Sequence, residues 1–501
     1  MRKTLLAAAF AVAFPAAYAQ AQTTQPAEPS SRENRLQPAS PVPVRTRDAD
    51  LTLFSGSTRV ELYGVLDGGY EYYSFGGKSA ASRLMTGMSA GNRWGLRGSE
   101  NLGDGWRAIF VLESRFSLDT GSVQNNDGVY WCGTGQYVPG VASTTGPQCP
   151  GANGRPLPLA IPLPPTAALP VQIGLNTANA LLLQSITTVN PVNALFDRQA
   201  FLALITPVGA IAAGRQYTPG YEILNRYSSF ADQTAGQMGQ GFATLKIRAN
   251  NALGYRAELK GFTLSLQYGF GGTESLRQER NNAPTSGDDF YGANFQYTAP
   301  SGNWSVGVGY NHDNVVTFNK PTEAQTGLET FNVGGFFTIG PVKLFGQYMK
   351  RKNDNPIVTP ADLQGILIVG GAAGLQATLQ SQQINPWDID TTRGVVGLTD
   401  TNVYHLGANW QVGPGNLIVA WNNAKDSARS VWQTEDAKAN HYAVGYFYPF
   451  SRRTTLYGAY AFMDNSGQAR MGLNSAGYTN GWTTEPGQSA YAVQIGLRHA
   501  F

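Results

Sequence analysis

Ala490-Tyr491-Ala492-Val493-Gln494-Ile495-Gly496-Leu497-Arg498-His499-Ala500-Phe501 closes the chain, and its reading decides the fold. Tyr491, Val493, Ile495, Leu497 and Phe501 share one face; Ala490, Gln494, Gly496, Arg498 and Ala500 share the other. An alternation of period two, with one apolar and one mixed face, is a strand. A sandwich strand shows the same pattern. A sheet that closes on itself in a membrane demands it, because hydrocarbon admits backbone only as helices or closed barrels. The other strands choose between the two.

Working back from the C-terminus, the pattern recurs. Phe262 to Tyr268 alternates apolar and polar at every step, and similar runs lie near 290–297, 304–310, 330–339, 342–350, 403–412, 417–422, 441–448 and 454–463. Short turns such as Gly340-Pro341 and Gly413-Pro414-Gly415 alternate with longer loops, the asymmetry of bacterial barrels with periplasmic turns and external loops. Trp304, Tyr348, Trp410, Tyr448 and Phe501 stand near strand ends, where interface girdles belong. In the first half, Trp94 and Leu96 oppose Arg93 and Arg97, while Ala108, Phe110 and Leu112 oppose Arg107, Glu113 and Arg115. Charges recurring on the inner face of adjacent strands do not suit an oily core, where an unpaired charge is very costly. They suit a water-filled lumen.

Composition agrees. Charged residues make up 14% of the 501 residues, against roughly 25% in soluble proteins. Glycine is abundant at 59, and aromatics reach 11%. A net charge of +3 without a basic run excludes a nucleic-acid footprint. Residues 1–19 read as a secretory signal: Arg2 and Lys3, an apolar core from Leu5 to Phe14, and the Ala17-Tyr18-Ala19 cleavage site. No later window offers 18 uncharged apolar residues, so no membrane helix is expected. Residues 20–57, rich in Pro, Ser, Thr and Gln, read as a disordered linker.

At this point the chain resembles a family. Val60-Glu61-Leu62-Tyr63-Gly64-Val65, Arg93-Trp94-Gly95-Leu96-Arg97-Gly98-Ser99-Glu100 and Ala108-Ile109-Phe110 through Ser114 resemble the first three strands of Gram-negative general diffusion porins of the beta-proteobacterial type. Phe196 to Phe201, Gly214 to Pro219 and Gly496 to Phe501 resemble the fourth, fifth and closing strands, in family order. The resemblance implies an all-β transmembrane antiparallel barrel of about 16 strands over residues 58–501, with short periplasmic turns, long external loops and a third loop folded inward. It implies an outer-membrane channel for passive diffusion of small hydrophilic solutes and ions, a homotrimer set in lipid and lipopolysaccharide. Residues 118–195 become a long second external loop, 217–244 the constriction loop, and 353–401 another long external loop.

The resemblance also implies a constriction in which arginines on the wall face carboxylates on the inward loop. Arg93, Arg97, Arg198 and Arg248 match the basic ladder by position. Alternation supports the inward pair Arg93 and Arg97, but it places Arg198 with Ala200, Leu202 and Leu204, so there only the resemblance argues for the lumen. The family's Pro-Glu-Phe-Gly-Gly loop motif is absent; Ser228-Ser229-Phe230-Ala231-Asp232 stands in its place, with Ser229 at the Glu position. Glu222 and Asp232 are the remaining loop carboxylates. An excess of fixed cations then implies modest anion selectivity.

Cys132 and Cys149, the two cysteines, both fall in the second loop of an exported chain, and a single disulfide between them is expected. His312, His405, His441 and His499 show no metal-ligand spacing and read as solvated or girdle residues. No nucleophile elbow, zinc-protease motif or phosphate loop occurs, so no catalytic residue, metal or cofactor is expected. The segment before the first strand is too short for a plug domain. The alternative to a pore is an adhesin or cell-wall-anchored barrel whose loops bind partners while its lumen is occluded.

Overall fold

The computed structural model describes residues 52–54, 58–76, 80–119, 121, 195–238, 247–270, 290–316, 324–353, 399–427, 435–467, 469, 471–475, 478–479, 483 and 487–501. The signal, most of the linker, both cysteines and most of the two long loops therefore lie outside the described residues.

Sixteen strands form one antiparallel sheet that closes on itself, and a further short strand within the expected linker, Thr52–Phe54, pairs with the start of the first at Val60 and Glu61. The sixteen are β1 (Thr58–Phe75), β2 in two pieces (Ala81–Thr86 and Arg93–Gly103), β3 (Trp106–Arg115), β4 (Gln199–Thr206) and β5 (Gly209–Tyr217). After helix α1 (Pro219–Arg226) come β6 (Arg248–Leu259), β7 (Phe262–Gly269), β8 (Phe290–Thr298), β9 (Trp304–Val316), β10 (Ala324–Ile339) and β11 (Val342–Asn353). The last five are β12 (Thr399–Val412), β13 (Gly415–Asp426), β14 (Ala437–Pro449), β15 (Thr454–Gly467) and β16 (Ala490–Ala500). Each strand pairs with its sequence neighbours, and β16 pairs with β1 from Val65↔Ala500 to Phe75↔Ala490. Phe501 finishes the seam: its N–H donates to the Gly64 carbonyl and its carbonyl accepts from the Gly64 N–H, both at 3.0 Å. A Cβ on Gly64 would stand 2.3 Å from the Phe501 ring and 2.9 Å from the Arg93 carbonyl, so the glycine leaves room for that ring at the seam.

The alternation read from sequence is the alternation observed. On β7, Phe262, Leu264, Leu266 and Tyr268 are exposed on the outer face while Ser265 and Gln267 are buried within. An exposed apolar outer band with a polar interior is the arrangement a bilayer stabilises. The short turns are tight. Lys260 and Gly261 both hold positive φ between the paired Leu259 and Phe262, the mark of a two-residue type I′ hairpin.

Three strands depart from simple alternation. β2 is not one run: residues 87–92 leave the sheet as a buried inward strap, so β1 pairs with Ala81–Thr86 along one half and Arg93–Gly103 along the other. Gly87, at φ +69, makes that turn possible. β4 begins at Gln199, and Arg198 sits on the bend before it. β6 carries a bulge: Gly214 faces Ala252 and Gln216 faces Ala249, with Asn251 at φ +45. The extra residue interrupts the two-residue alternation along β6.

Candidate functional site

The segment after β5 turns into the lumen. Thr218 N–H donates to the Ile247 carbonyl at 3.0 Å, and Pro219 opens α1, where a missing N–H costs nothing. A helix leaves backbone groups unsatisfied at both ends. Here the wall supplies a partner for one such group, the Gly220 N–H, and grips the helix backbone through an amide on each of four successive strands. Asn311 Oδ1 accepts from the Gly220 N–H at 2.9 Å, and Asn294, Asn332 and Gln347 donate to the carbonyls of Pro219, Gly220 and Ile223. Opposite the helix the wall residues are glycines: a Cβ at Gly309 would stand 2.8 Å from Ile223, and one at Gly334 2.7 Å from Tyr227. The Val306-Gly307-Val308-Gly309 run thus puts valines to lipid and room for a helix within.

Past Tyr227 the loop crosses to the remaining strands. Ser229 N–H donates to His405 Nε2 at 3.0 Å, and Ser229 Oγ donates to the Val419 carbonyl at 2.9 Å. His405 Nδ1 meets Asn422 Oδ1 at 2.6 Å, and Asn422 Nδ2 meets His441 Nδ1 at 2.9 Å. These two histidines are therefore buried latches, not the solvated or girdle residues expected. His312, stacked on Tyr291, is also buried and lies inside its strand, whereas His499, against Thr454 Oγ1, does sit at a strand end. Further along, the loop meets the strap and the seam, where Thr234 N–H donates to the Met88 carbonyl at 2.7 Å and Ala235 N–H to Gln494 Oε1 at 2.8 Å. Replacing His405 by Leu would strand a buried N–H at a cost of about 1–3 kcal/mol. Single-channel recordings of that variant are expected to show added current noise; a wild-type trace would show that the latch does not hold the loop.

The loop belt covers β8 to β16 and leaves β1 to β6 facing it. There the arginines gather. Glu113 is shared by Arg198 Nε at 2.5 Å, Arg93 Nε at 3.3 Å and the Tyr63 hydroxyl, which donates at 3.1 Å. Arg198 and Arg248 both donate to the Tyr217 hydroxyl, at 2.8 and 3.1 Å. Arg97 lies one step along, bonded to Glu61 at 2.6 Å and over the Tyr63 ring. The bend before β4 turns Arg198 inward against strand parity, so all four predicted arginines reach the lumen side.

The two loop carboxylates behave differently. Asp232 Oδ2 accepts from the Tyr221 hydroxyl at 2.7 Å, and Tyr221 stacks on Tyr217 at 5.2 Å between centroids. Two tyrosines thereby bridge the basic wall to the loop. Burial, then the Asp232 charge, push the Tyr221 phenol well above its ordinary range, so it stays a donor. Glu222 does not line the pore. It is buried against the wall, bonded to Arg256 at 2.6 Å and to the amides of Asn294 and Gln296. Ser229, at the family's Glu position, is likewise turned to the wall.

A family model described as Gram-negative porin matches residues 6–468. The chain belongs to the Gram-negative porin family. This porin is 28% identical over 318 residues to outer membrane porin protein 32 of Delftia acidovorans, spanning 61% of this chain and 74% of that one. Among solved structures it is similar to an anion-selective porin from Comamonas acidovorans, with TM-score 0.57 and 22% identity, covering 89% of this chain and all of that one. OmpF of Salmonella typhi, in complex with daunomycin, aligns at TM-score 0.52 and 14% identity over 90% of this chain and all of that one. The porin is an outer-membrane channel. Among the described residues no group of His, Cys, Asp and Glu could hold a metal ion.

Proposed function

We propose that this porin passes small hydrophilic solutes passively and prefers anions. The observation that carries the reading is the cluster around Glu113. Among the described residues, Arg93, Arg198 and Arg248 face two carboxylates, Glu113 and Asp232, an excess of one positive charge; Glu222 is occupied by Arg256. Two unit charges 4 Å apart interact by about 1 kcal/mol in water and about 4 at an effective dielectric of 20. Even the lower value favours an anion over a cation several-fold at the narrow point. Salt weakens the bias, since the Debye length falls from ~10 Å at 0.1 M to ~3 Å at 1 M.

The chemistry assigned to the site is selection, with no catalytic step. A trimeric assembly is supported by a similar solved porin, OmpT of Vibrio cholerae, recorded in a trimer form at TM-score 0.51, 15% identity, 89% of this chain and all of that one. Lipid and lipopolysaccharide would surround the apolar band.

Planar-bilayer recordings test the reading. Ohmic stepwise openings are expected, with a reversal potential under a salt gradient that favours anions at low salt and shifts toward zero in Arg198→Ala. A protein that inserts without conducting would favour an occluded barrel. A cation-selective wild type would mean that Asp232 and other carboxylates outweigh the arginines.

A further inference from the structure

Where α1 ends, near the short-turn rim, the lumen changes character. The inward positions close by are Ser305, Thr338 and Asn409, but Phe336 and Phe345 also face inward, directly paired across β10 and β11 with ring centroids 6.2 Å apart. Both rings are half-buried. Other apolar side chains on the inner face, such as Met349, Val403 and Phe447, are buried in a cluster with loop residues, so half-exposed phenylalanines on the wet face of a channel stand apart. Two cations frame them. Lys343 Nζ lies 3.5 Å from the Phe336 centroid and 5.1 Å from that of Phe345. On the loop side the Tyr227 ring stands 6.1 Å from Phe336, and Arg226 lies over Tyr227 at 5.9 Å. Arg226 Nη2 donates to Thr298 Oγ1 at 2.8 Å, while its buried Nε finds no hydrogen-bond partner among the described residues. Neither Arg226 nor Lys343 forms an ion pair with a described residue.

We propose that Phe336, Phe345, Lys343 and Arg226 form a subsite for aromatic carboxylates at the short-turn end of the constriction. The ring of such a solute would lie against the phenylalanine pair and its carboxylate would be held by Lys343, with Arg226 within the same framed patch. A small inorganic anion would use only the cations and leave the apolar surface wet. A saturated ring of similar bulk would bury the same surface without the quadrupole match of ring on ring and cation on ring. The proposal rests on the anion-preferring reading above, yet it makes a separate claim, that aromatic character is distinguished among anions of equal charge. Such solutes would cross the constriction through a second basic station, on the side of the lumen away from the Glu113 cluster.

The test uses the full-length protein in planar bilayers with chloride as the carrier. Benzoate and cyclohexanecarboxylate, matched in charge and near in size, are titrated in turn and the half-blocking concentration of each is read. Benzoate is expected to block at a concentration about three-fold lower or more, the size of one aromatic contact. Phe345→Leu should erase that ratio, and Lys343→Gln should raise both half-blocking concentrations, while a salt-gradient reversal potential in the same membranes stays anion-favouring. Equal block by the two acids in the wild type would overturn the subsite, and this arm needs no variant to fold. A cation-favouring reversal potential would instead sink the reading beneath it, whatever the block ratio.

Discussion

The porin in which Gly307, Gly309 and Gly334 are all replaced by alanine is expected to conduct markedly less than the wild type. At each site the added Cβ meets the inward loop. At Gly334 it would lie 2.7 Å from the Tyr227 Cβ, and at Gly309 2.8 Å from an Ile223 γ-carbon and 3.2 Å from its Cβ. Those atoms sit next to the loop main chain, so rotating a side chain does not clear them. Overpacking a filled site costs about 1–3 kcal/mol. Either the wall or the loop must yield. β9 and β10 are hydrogen-bonded on both sides along nearly their whole length, whereas α1 is held mainly by side-chain amides. The helix should therefore move into the channel and narrow it. Gly346→Ala is the control, because its Cβ meets nothing closer than a Leu406 methyl at 3.8 Å. Single-channel conductance at high salt, where charge effects are screened, reads the result. An unchanged conductance from a correctly folded triple variant would show that the helix does not bear on these glycines.

How much of this was legible follows from the same physics. The two faces of a barrel strand meet opposite solvents, so alternation survives in almost every strand and gave sixteen of them. The amide row was also within reach: Asn294, Asn311, Asn332 and Gln347 all fall at inward parity on successive strands. What parity misses is any residue where the strand is interrupted. Arg198 points inward because it precedes its strand on a bend, where strand alternation does not apply. The Asn250-Asn251 pair was the available sign of the bulge in β6, since Asn tolerates the left-handed backbone that Asn251 adopts. Gly87-Met88-Ser89-Ala90-Gly91 was a comparable sign of the strap that splits β2. The histidine latch had no sequence signal of its own. It requires knowing that the loop passes β12, and a single inward His on a strand does not say what it binds.

Glu222→Gln is expected to give a porin whose current fluctuates among sublevels at neutral pH. Glu222 ties α1 to two strands, through Arg256 on β6 and through Asn294 and Gln296 on β8, with both members of the ion pair largely buried. Breaking a buried pair on one side costs about 3–5 kcal/mol, because the remaining charge is left in a poor solvent. Glu258, 3.2 Å from Arg256, recovers part of that cost, so the barrel should still fold while the loop loosens. Glu222→Gln with Arg256→Gln removes the stranded charge and should be quieter than the single variant. The acid response carries the same signature. Burial alone would raise the Glu222 carboxyl, but Arg256 and the two amides outweigh it and hold it below its ordinary value of about 4.3. A carboxylate whose folded value is depressed contributes stability that is present above the unfolded value and is lost as pH falls through the folded one. The wild-type current should therefore stay quiet down through the ordinary glutamate range and become noisy only below it. Glu222→Gln should be noisy throughout, with no acid step. If the Gln variant keeps the wild-type acid transition, another group anchors the helix and Glu222 is a spectator.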